Sequence, residues 1–444
     1  MRRILQLAGL VAIGLLATAL PAGACSCFQG DPRDQFEAAD AAFIGEFVGM
    51  RPGPDPEWDA IYTFDVEEEW KTDFGETVDV HAANNGAACG IEAQPGQMVG
   101  LFLTMEGSDW SSSLCSQTSP STMRQAASPL PEPNGKGDAR MIVGGSFGKA
   151  RVMALDKAGR TLGYGYGGDH DVAYLDACPG GRRFVEIYEM RTDQDVERRF
   201  VVRRVSDLEV VRDTDLGLDQ TQYVSGVDCR DANADRSLLF VTPNYGKPNG
   251  AIYEESENGI KRLFKDLDAR MATFGEKHVY MSGAKHRVWS MRLDGGSARV
   301  LYSVRDKQQL SEPILSPNGK HLAVVVYGSY EPERKAKLVL IRLDDGKVRT
   351  ERLANGDGYG VVLTWDGSRK LVAVGPQGSP VFNLRLQKVG GIGRAYVSDA
   401  VVVGERLWGL YFGELLRADL PKGNFERAQV LPSPVTYSII SLPR

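Results

Sequence analysis

A few stretches carry residue types at spacings that chemistry can use. Gly144-Gly145-Ser146-Phe147-Gly148 has the Gly-x-Ser-x-Gly spacing of a nucleophile elbow. An elbow needs a strand before the serine and a helix after it. Here the following ARVMALD alternates like a strand and runs into the turn KAGR, so a serine nucleophile is not expected. Asp231, Asn233 and Asp235 have the spacing of the first ligands of a calcium loop, but Arg236 and Thr242 stand where its glycine and bidentate glutamate belong. Asp and Asn are also ordinary turn residues. The five histidines, His81, His170, His278, His286 and His321, form no HExxH and no i, i+4 pair, so no zinc motif is present. His286 reads as a surface residue at a strand start. Asp169-His170-Asp171 reads as a solvated turn, and Glu67, Glu68 and Glu69 as a charged exposed edge. GSFGKA lacks the first glycine and the final Ser or Thr of a phosphate loop. No acid, base or metal set converges, so the chain is expected to be no enzyme and to hold no metal and no cofactor.

The remaining chemistry lies at the N-terminus. Arg2 and Arg3, the apolar run Leu7 to Leu20 and the small residues Ala22-Gly23-Ala24 form a secretory signal peptide over residues 1–24, cut before Cys25. A lipid-modified Cys25 is the alternative at the same position. It would leave an odd number of cysteines, whereas the six present read as disulfides in an oxidising compartment. A freed Cys25 carries an α-amino group with a pKa of about 8, so a useful fraction is neutral near pH 7. Its carbonyl lies one peptide unit away, and the pair could chelate a metal. A catalytic zinc keeps a position open for such a ligand.

The elements that must hold these residues are all-β. The 444-residue chain is long enough for two domains and carries a formal charge of −6. That balance argues against nucleic acid. No stretch after the leader reads as a membrane-spanning helix, so the mature chain is expected to be soluble, secreted or periplasmic. Glycine is abundant, helical periodicity is scarce, and short alternating runs are bounded by Gly, Pro, Asn and Asp. SPLPEPNGKGD, residues 128–138, has nothing that should pack and reads as an interdomain linker. It separates a small domain, 25–127, from a large one, 139–444.

The small domain contains Cys25, Cys27, Cys89 and Cys115 between strand candidates at Ala42–Val48, Ile61–Val66, Thr77–His81 and Met98–Thr104. Roughly five strands suit a small closed barrel, whose thin core gains from cross-links. Cys25 and Cys27 are too close along an extended segment to bond each other, so each should reach a distant partner. Cys25-Ser26-Cys27 after a signal cut, the strand ADAAFIGEFVG, then WKTD, AACG and LCSQTSP, resemble the netrin-like domain of tissue inhibitors of metalloproteinases, over about Cys25 to Pro120. The resemblance implies an OB-type barrel with Cys25–Cys89 and Cys27–Cys115 disulfides. It implies that Cys25 chelates the catalytic zinc of a partner, an extracellular zinc metalloproteinase, and that Ser26 enters its specificity pocket. Cys27 and Phe28 would line its cleft.

The large domain repeats one unit: a turn, a strand, a short turn and a second strand ending in a charged hairpin. Units begin near Ala139, Gly180, Asp235, Gly275, Ser316, Trp365 and Gly404. A period of about 40–45 residues points to propeller blades, about seven of them. The units resemble WD-repeat-like and TolB-like propellers. The glycines of GGSFG are expected in an innermost strand near the axis, and Val435 to Leu442 is expected to complete the first blade and close the ring. Cys178 and Cys229 occupy equivalent places in adjacent units, which predicts a disulfide between blades.

The sequence thus gives an exported, non-enzymatic binding protein. The inhibitor resemblance is one route to function. A surface or periplasmic module that binds proteins through its propeller face, with a structural barrel, is the other.

Overall fold

The computed structural model describes residues 32–147, 150–166, 171–191, 196–243, 249–283, 286–296, 298–305, 308–327, 336–353, 360–411, 413–432 and 436–443. The expected leader and Cys25, Ser26, Cys27 and Phe28 lie outside them. Two compact units meet between Pro129 and Leu130.

In the first unit, β1 (Ala41–Pro52), β2 (Asp59–Trp70), β3 (Thr77–Ala83), β4 (Met98–Glu106), β5 (Asp109–Ser111) and β6 (Gln117–Thr118) form one sheet. Its order is β1-β2-β3-β5-β4, and β1 also pairs with β4, which closes the barrel. The β3–β5 pairing is parallel and the rest antiparallel, an OB-type arrangement. β1 bonds neighbours on both sides by bending at register shifts beside Gly45 and Gly49. Gly45 is required there, because a Cβ would sit 2.7 Å from the Asp65 carbonyl oxygen.

The sequence showed no helix here, but the structure has α1 (Pro32–Ala38) and α2 (Pro120–Ala127). Ser119 caps α2 by accepting the Thr122 N–H, and Pro120 occupies its first turn. The helices explain why β1 is apolar on both faces. Ala41, Phe43 and Phe47 point into the barrel, while Ala42 and Ile44 pack outward on Met123 and Ala126. The buried Arg33 of α1 donates to the carbonyls of Gln125, at 2.8 Å, and Ser128 at the end of α2. Glu67–Glu69 are not simply an exposed edge. Glu68 pairs with Arg124 at 2.5 Å, and Glu69 accepts the Phe74 N–H at 2.7 Å.

The second unit is a seven-bladed propeller. Blade one joins Thr436–Ser441 to Met141–Phe147, Ala150–Leu155 and Thr161–Tyr166. Blades two to seven begin with inner strands at Asp171, Gln222, Met271, Gln309, Val362 and Asp399. Seven apolar clusters each span one junction between neighbouring blades, and the cluster containing Trp408 and Met141 joins blade seven to blade one. The ring is therefore closed by side-chain packing as well as by its last strand.

The expected units are offset by one strand. The motifs legible in sequence are the second and third strands of each blade, buried on both faces, as in His321–Tyr327 and Lys337–Arg342. The C-terminal strand is the innermost of blade one: it pairs with Met141–Phe147 and contacts the inner strands of blades two and seven. Gly144, Gly145, Ser146 and Phe147 are thus in the second strand, not the first. Gly144 leaves room there for Val172 of blade two, which a Cβ would approach to 2.8 Å. The linker also packs, contrary to its composition. The N–H groups of Asn134 and Gly135 donate to Thr161 O at 2.9 and 2.6 Å, and Leu130 packs on the junction of blades seven and one.

Candidate functional site

An even number of antiparallel strands returns the chain to the face where each blade began. All turns from first to second strand, and from third to fourth, therefore share one face of the propeller. A basic residue opens or immediately precedes the second strand of every blade on that face: Arg140, Arg183, Arg236, His278, His321, Lys370 and Arg406. Some are neutralised. Arg236 pairs with Glu254, Lys370 with Asp366 at 3.1 Å, and Arg406 with Asp419 at 3.2 Å.

Arg140 is not. It stands in a groove of about 850 Å³ between blades one and two, with Arg182, Arg204, Asp207, Tyr164 and Leu208. Backbone bonds fix the groove's basic residues. Arg140 N–H donates to Leu155 O at 2.8 Å, Leu442 N–H to Arg140 O at 2.9 Å, and Val205 N–H to Arg182 O at 2.9 Å. Arg204 is held by Asp207. Neither Arg140 nor Arg182 forms an ion pair with a described residue, and Arg182 is exposed. Gly181, at φ 64°, lets the C-terminal segment close one wall, since a Cβ would lie 2.5 Å from Pro443 O. The Tyr164 hydroxyl donates to Pro131 O at 3.1 Å, so the segment before blade one forms a further edge. Guanidinium groups without carboxylate partners beside apolar and aromatic surface can receive carboxylates in two-point hydrogen bonds.

The Cys178–Cys229 disulfide lies on the same face and ties blade two to blade three. Beside it, burial and the charge of Asp228 push the Asp176 carboxyl up to about 7. Burial also raises Asp228, against the opposing pull of Arg230. Arg230 bonds Asp228 at 2.7 Å and the carbonyls of Gly275 and Glu276 in blade four. In blade five, Glu312 lies in the connection between Gln309–Leu310 and Ile314–Leu315, where desolvation and then the charge of Asp399 raise its carboxyl to about 7. Asp399 is itself raised by burial and accepts from Ile439 N–H at 3.0 Å and the Ser438 hydroxyl at 3.1 Å.

The other expected residues separate. Asp231 accepts the N–H groups of Asn233 and Asp235 at 3.0 and 2.9 Å, an Asx turn that explains the calcium-like spacing. His81 sits in the barrel 3.4 Å from Asp59, His278 stacks on Tyr280, and His286 Nδ1 lies 2.5 Å from Gln308 O. His170 and Asp169 lie outside the described residues, as do Gly148 and the Ser146 side chain. Among the described residues, no cluster of His, Cys, Asp and Glu could hold a metal, and no helix is long and apolar enough to cross a membrane. Cys89 and Cys115 are both disulfide-bonded, and no cysteine among the described residues is free.

Sequence reasoning missed Arg140 and Arg182, which become neighbours only when blade one meets blade two. The signal available was the basic residue recurring before each LAVVV-like strand.

The structure defines a β-propeller protein with an OB-type barrel. No protein-family model matches the sequence, and no curated protein matches it. Among solved structures, hydrazine synthase of Kuenenia stuttgartiensis is similar over 66% of this chain and 97% of its own, at 14% identity and TM-score 0.46. Oligogalacturonate lyase of Vibrio parahaemolyticus is similar over 64% of this chain and 88% of its own, at 10% identity and TM-score 0.43. A protein from Lactobacillus plantarum matches over 69% of this chain and 100% of its own, at 12% identity and TM-score 0.43. The propeller assignment rests on the seven sheets and the closed ring, not on these likenesses.

Proposed function

We propose that the chain is an exported, non-enzymatic binding protein that receives an acidic, extended segment of a partner protein in the groove between blades one and two. The observation that carries this is the pair Arg140 and Arg182, unpaired among the described residues and set by fixed backbone beside Tyr164 and Leu208. A rigid propeller presenting variable turns is suited to recognition. The disulfides support an oxidising compartment and hence export. Panning a displayed peptide library on the purified chain should enrich acidic sequences. Arg140→Glu with Arg182→Glu should abolish their capture while the circular dichroism spectrum stays the same. Enrichment without acidic residues, or unchanged capture by the double variant, rules the reading out.

A second reading concerns the N-terminus. Leu114 N–H donates to Cys89 O at 2.9 Å, so Cys89 lies beside Cys115, and the Gln35 amide reaches Cys115 O at 3.4 Å. Two disulfide anchors side by side on an OB-type barrel support clamping of Cys25-Ser26-Cys27, with the Cys25 amine presented to a metalloproteinase zinc. Assays against a panel of zinc metalloproteinases test it: inhibition that disappears when one alanine precedes Cys25 supports the chelate. No inhibition, or inhibition that survives the extension, removes it.

A further inference from the structure

A second, smaller cavity opens on the same face between blades five and six. It has a volume of about 250 Å³ and is lined by His321, Arg342, Lys347, Arg349 and Arg385 over Leu340 and Leu384. The whole chain is acidic, at −6, yet no carboxylate of a described residue lines this cavity. The topology explains the convergence. His321 opens the second strand of blade five and pairs in register with Arg342 in the third. Arg349, in the fourth strand, pairs with Leu340 and donates to Leu384 O of blade six at 3.3 Å. Lys347 and Arg385 occupy the two adjoining hairpin turns.

Most of this charge is uncompensated. Asp345 and Asp344, outside the cavity, hold Arg342. The side chains of Lys347, Arg349 and Arg385 form no ion pair with a described residue. His321 Nδ1 is buried and has no hydrogen-bond partner among the described residues, although its backbone is fully used: its N–H donates to the Ser316 hydroxyl at 2.9 Å, and its carbonyl accepts the Ser316 N–H at 2.8 Å. Burial lowers the His321 pKa. Arg342, Arg349 and Lys320 lower it further, against Asp344. A buried polar nitrogen without a partner is costly. A concave surface with several donors and leucine walls suits a small oxyanion, whose charge-assisted bonds are strengthened where water is displaced.

We infer that the cavity between blades five and six binds a tetrahedral oxyanion, the phosphate group of a free ion or of a monoester, with Arg349, Arg385 and Lys347 as donors and the His321 ring in the wall beside it. A flat cationic patch would only gather counterions and would show no preference at fixed ionic strength.

The test is a titration of the full chain with sodium phosphate, at constant pH and ionic strength maintained with chloride. The five histidines are followed by NMR, and His321 is assigned by its loss in His321→Gln. Phosphate should shift the His321 signal saturably and raise its pKa, leaving His81 and His278 unmoved. Lys347→Gln with Arg385→Gln alters two exposed residues, keeps the fold, and should weaken phosphate binding by about tenfold or more. Phosphoserine in a second arm distinguishes the source: tighter binding than phosphate identifies a monoester, and equal or weaker binding the free ion. No saturable His321 shift with phosphate, or the same shift with chloride alone, overturns the inference. Unchanged affinity in the double variant overturns it as well.

Discussion

The carboxylate of Asp176 accepts the backbone N–H of Cys229 at 2.8 Å, across the blade junction that the Cys178–Cys229 disulfide also bridges. The Asp176 carboxyl, raised to about 7 by burial and by Asp228, has an unfolded value of about 4. The fold therefore holds this proton more tightly than the unfolded chain. The stability it contributes is complete below about pH 4 and is lost as pH rises through about 7. Asp176→Asn keeps an oxygen for the Cys229 N–H and removes the titration. Melting temperatures of wild type should fall between pH 5 and 8. The variant should recover on the order of 1–2 kcal/mol at pH 8, discounted for the residual exposure of Asp176. Parallel pH profiles for the two proteins would count against this account.

The disulfide itself closes a sequence separation of 51 residues. Cys178→Ala with Cys229→Ala should cost the propeller about 2–4 kcal/mol, chiefly by freeing the unfolded chain. Chemical denaturation followed by tryptophan fluorescence reads this as a lower midpoint. An unchanged midpoint would mean that packing at the junction of blades two and three suffices without the bridge.

Arg203 and Glu186 form a buried pair in blade two, exposed by 1% and 0%. Arg203 also donates to Tyr166 O at 2.9 Å, Leu208 O at 2.8 Å and the Tyr188 hydroxyl at 2.7 Å. Arg203→Leu strands Glu186 and should cost about 3–5 kcal/mol, whereas Arg203→Leu with Glu186→Met should recover most of that. If the double variant is no more stable than the single one, the cost comes from the lost carbonyl and hydroxyl contacts rather than from the stranded acid.

How much of this was legible in the sequence follows from what each strand faces. The second and third strands are buried on both sides and read as apolar runs, such as HLAVVVY and KLVLIR. The inner strands are short and partly polar, as in Met271–Phe274 and Asp399–Val403, so the repeat was found one strand out of register. The helices Pro32–Ala38 and Pro120–Ala127 are too short to establish a 3.6-residue period, so neither was expected. The cysteines of blades two and three could be paired because each precedes a matching strand. The two basic cavities could not be found this way: Arg140 meets Arg182, and Arg349 meets Leu384, only through the packing of neighbouring blades.

Ring closure depends on the last residues of the chain. Ile439 and Ile440 pair with Val143 and Ile142. Ile439, exposed by 1%, enters the cluster joining blades seven and one, and Leu442 enters the one joining blades one and two. A chain ending after Pro432 would leave Met141–Phe147 as an open inner edge, a template for pairing between molecules. It should aggregate, and blade one should exchange its amide protons fastest. Ile439→Ala keeps the strand and removes only its packing, so it should cost about 2–5 kcal/mol without aggregation. Sedimentation velocity and hydrogen exchange on the two variants separate the effects. A monomeric truncated chain with blade one still protected would show that six blades and three strands are enough to hold the ring, and that the C-terminal strand is not its closure.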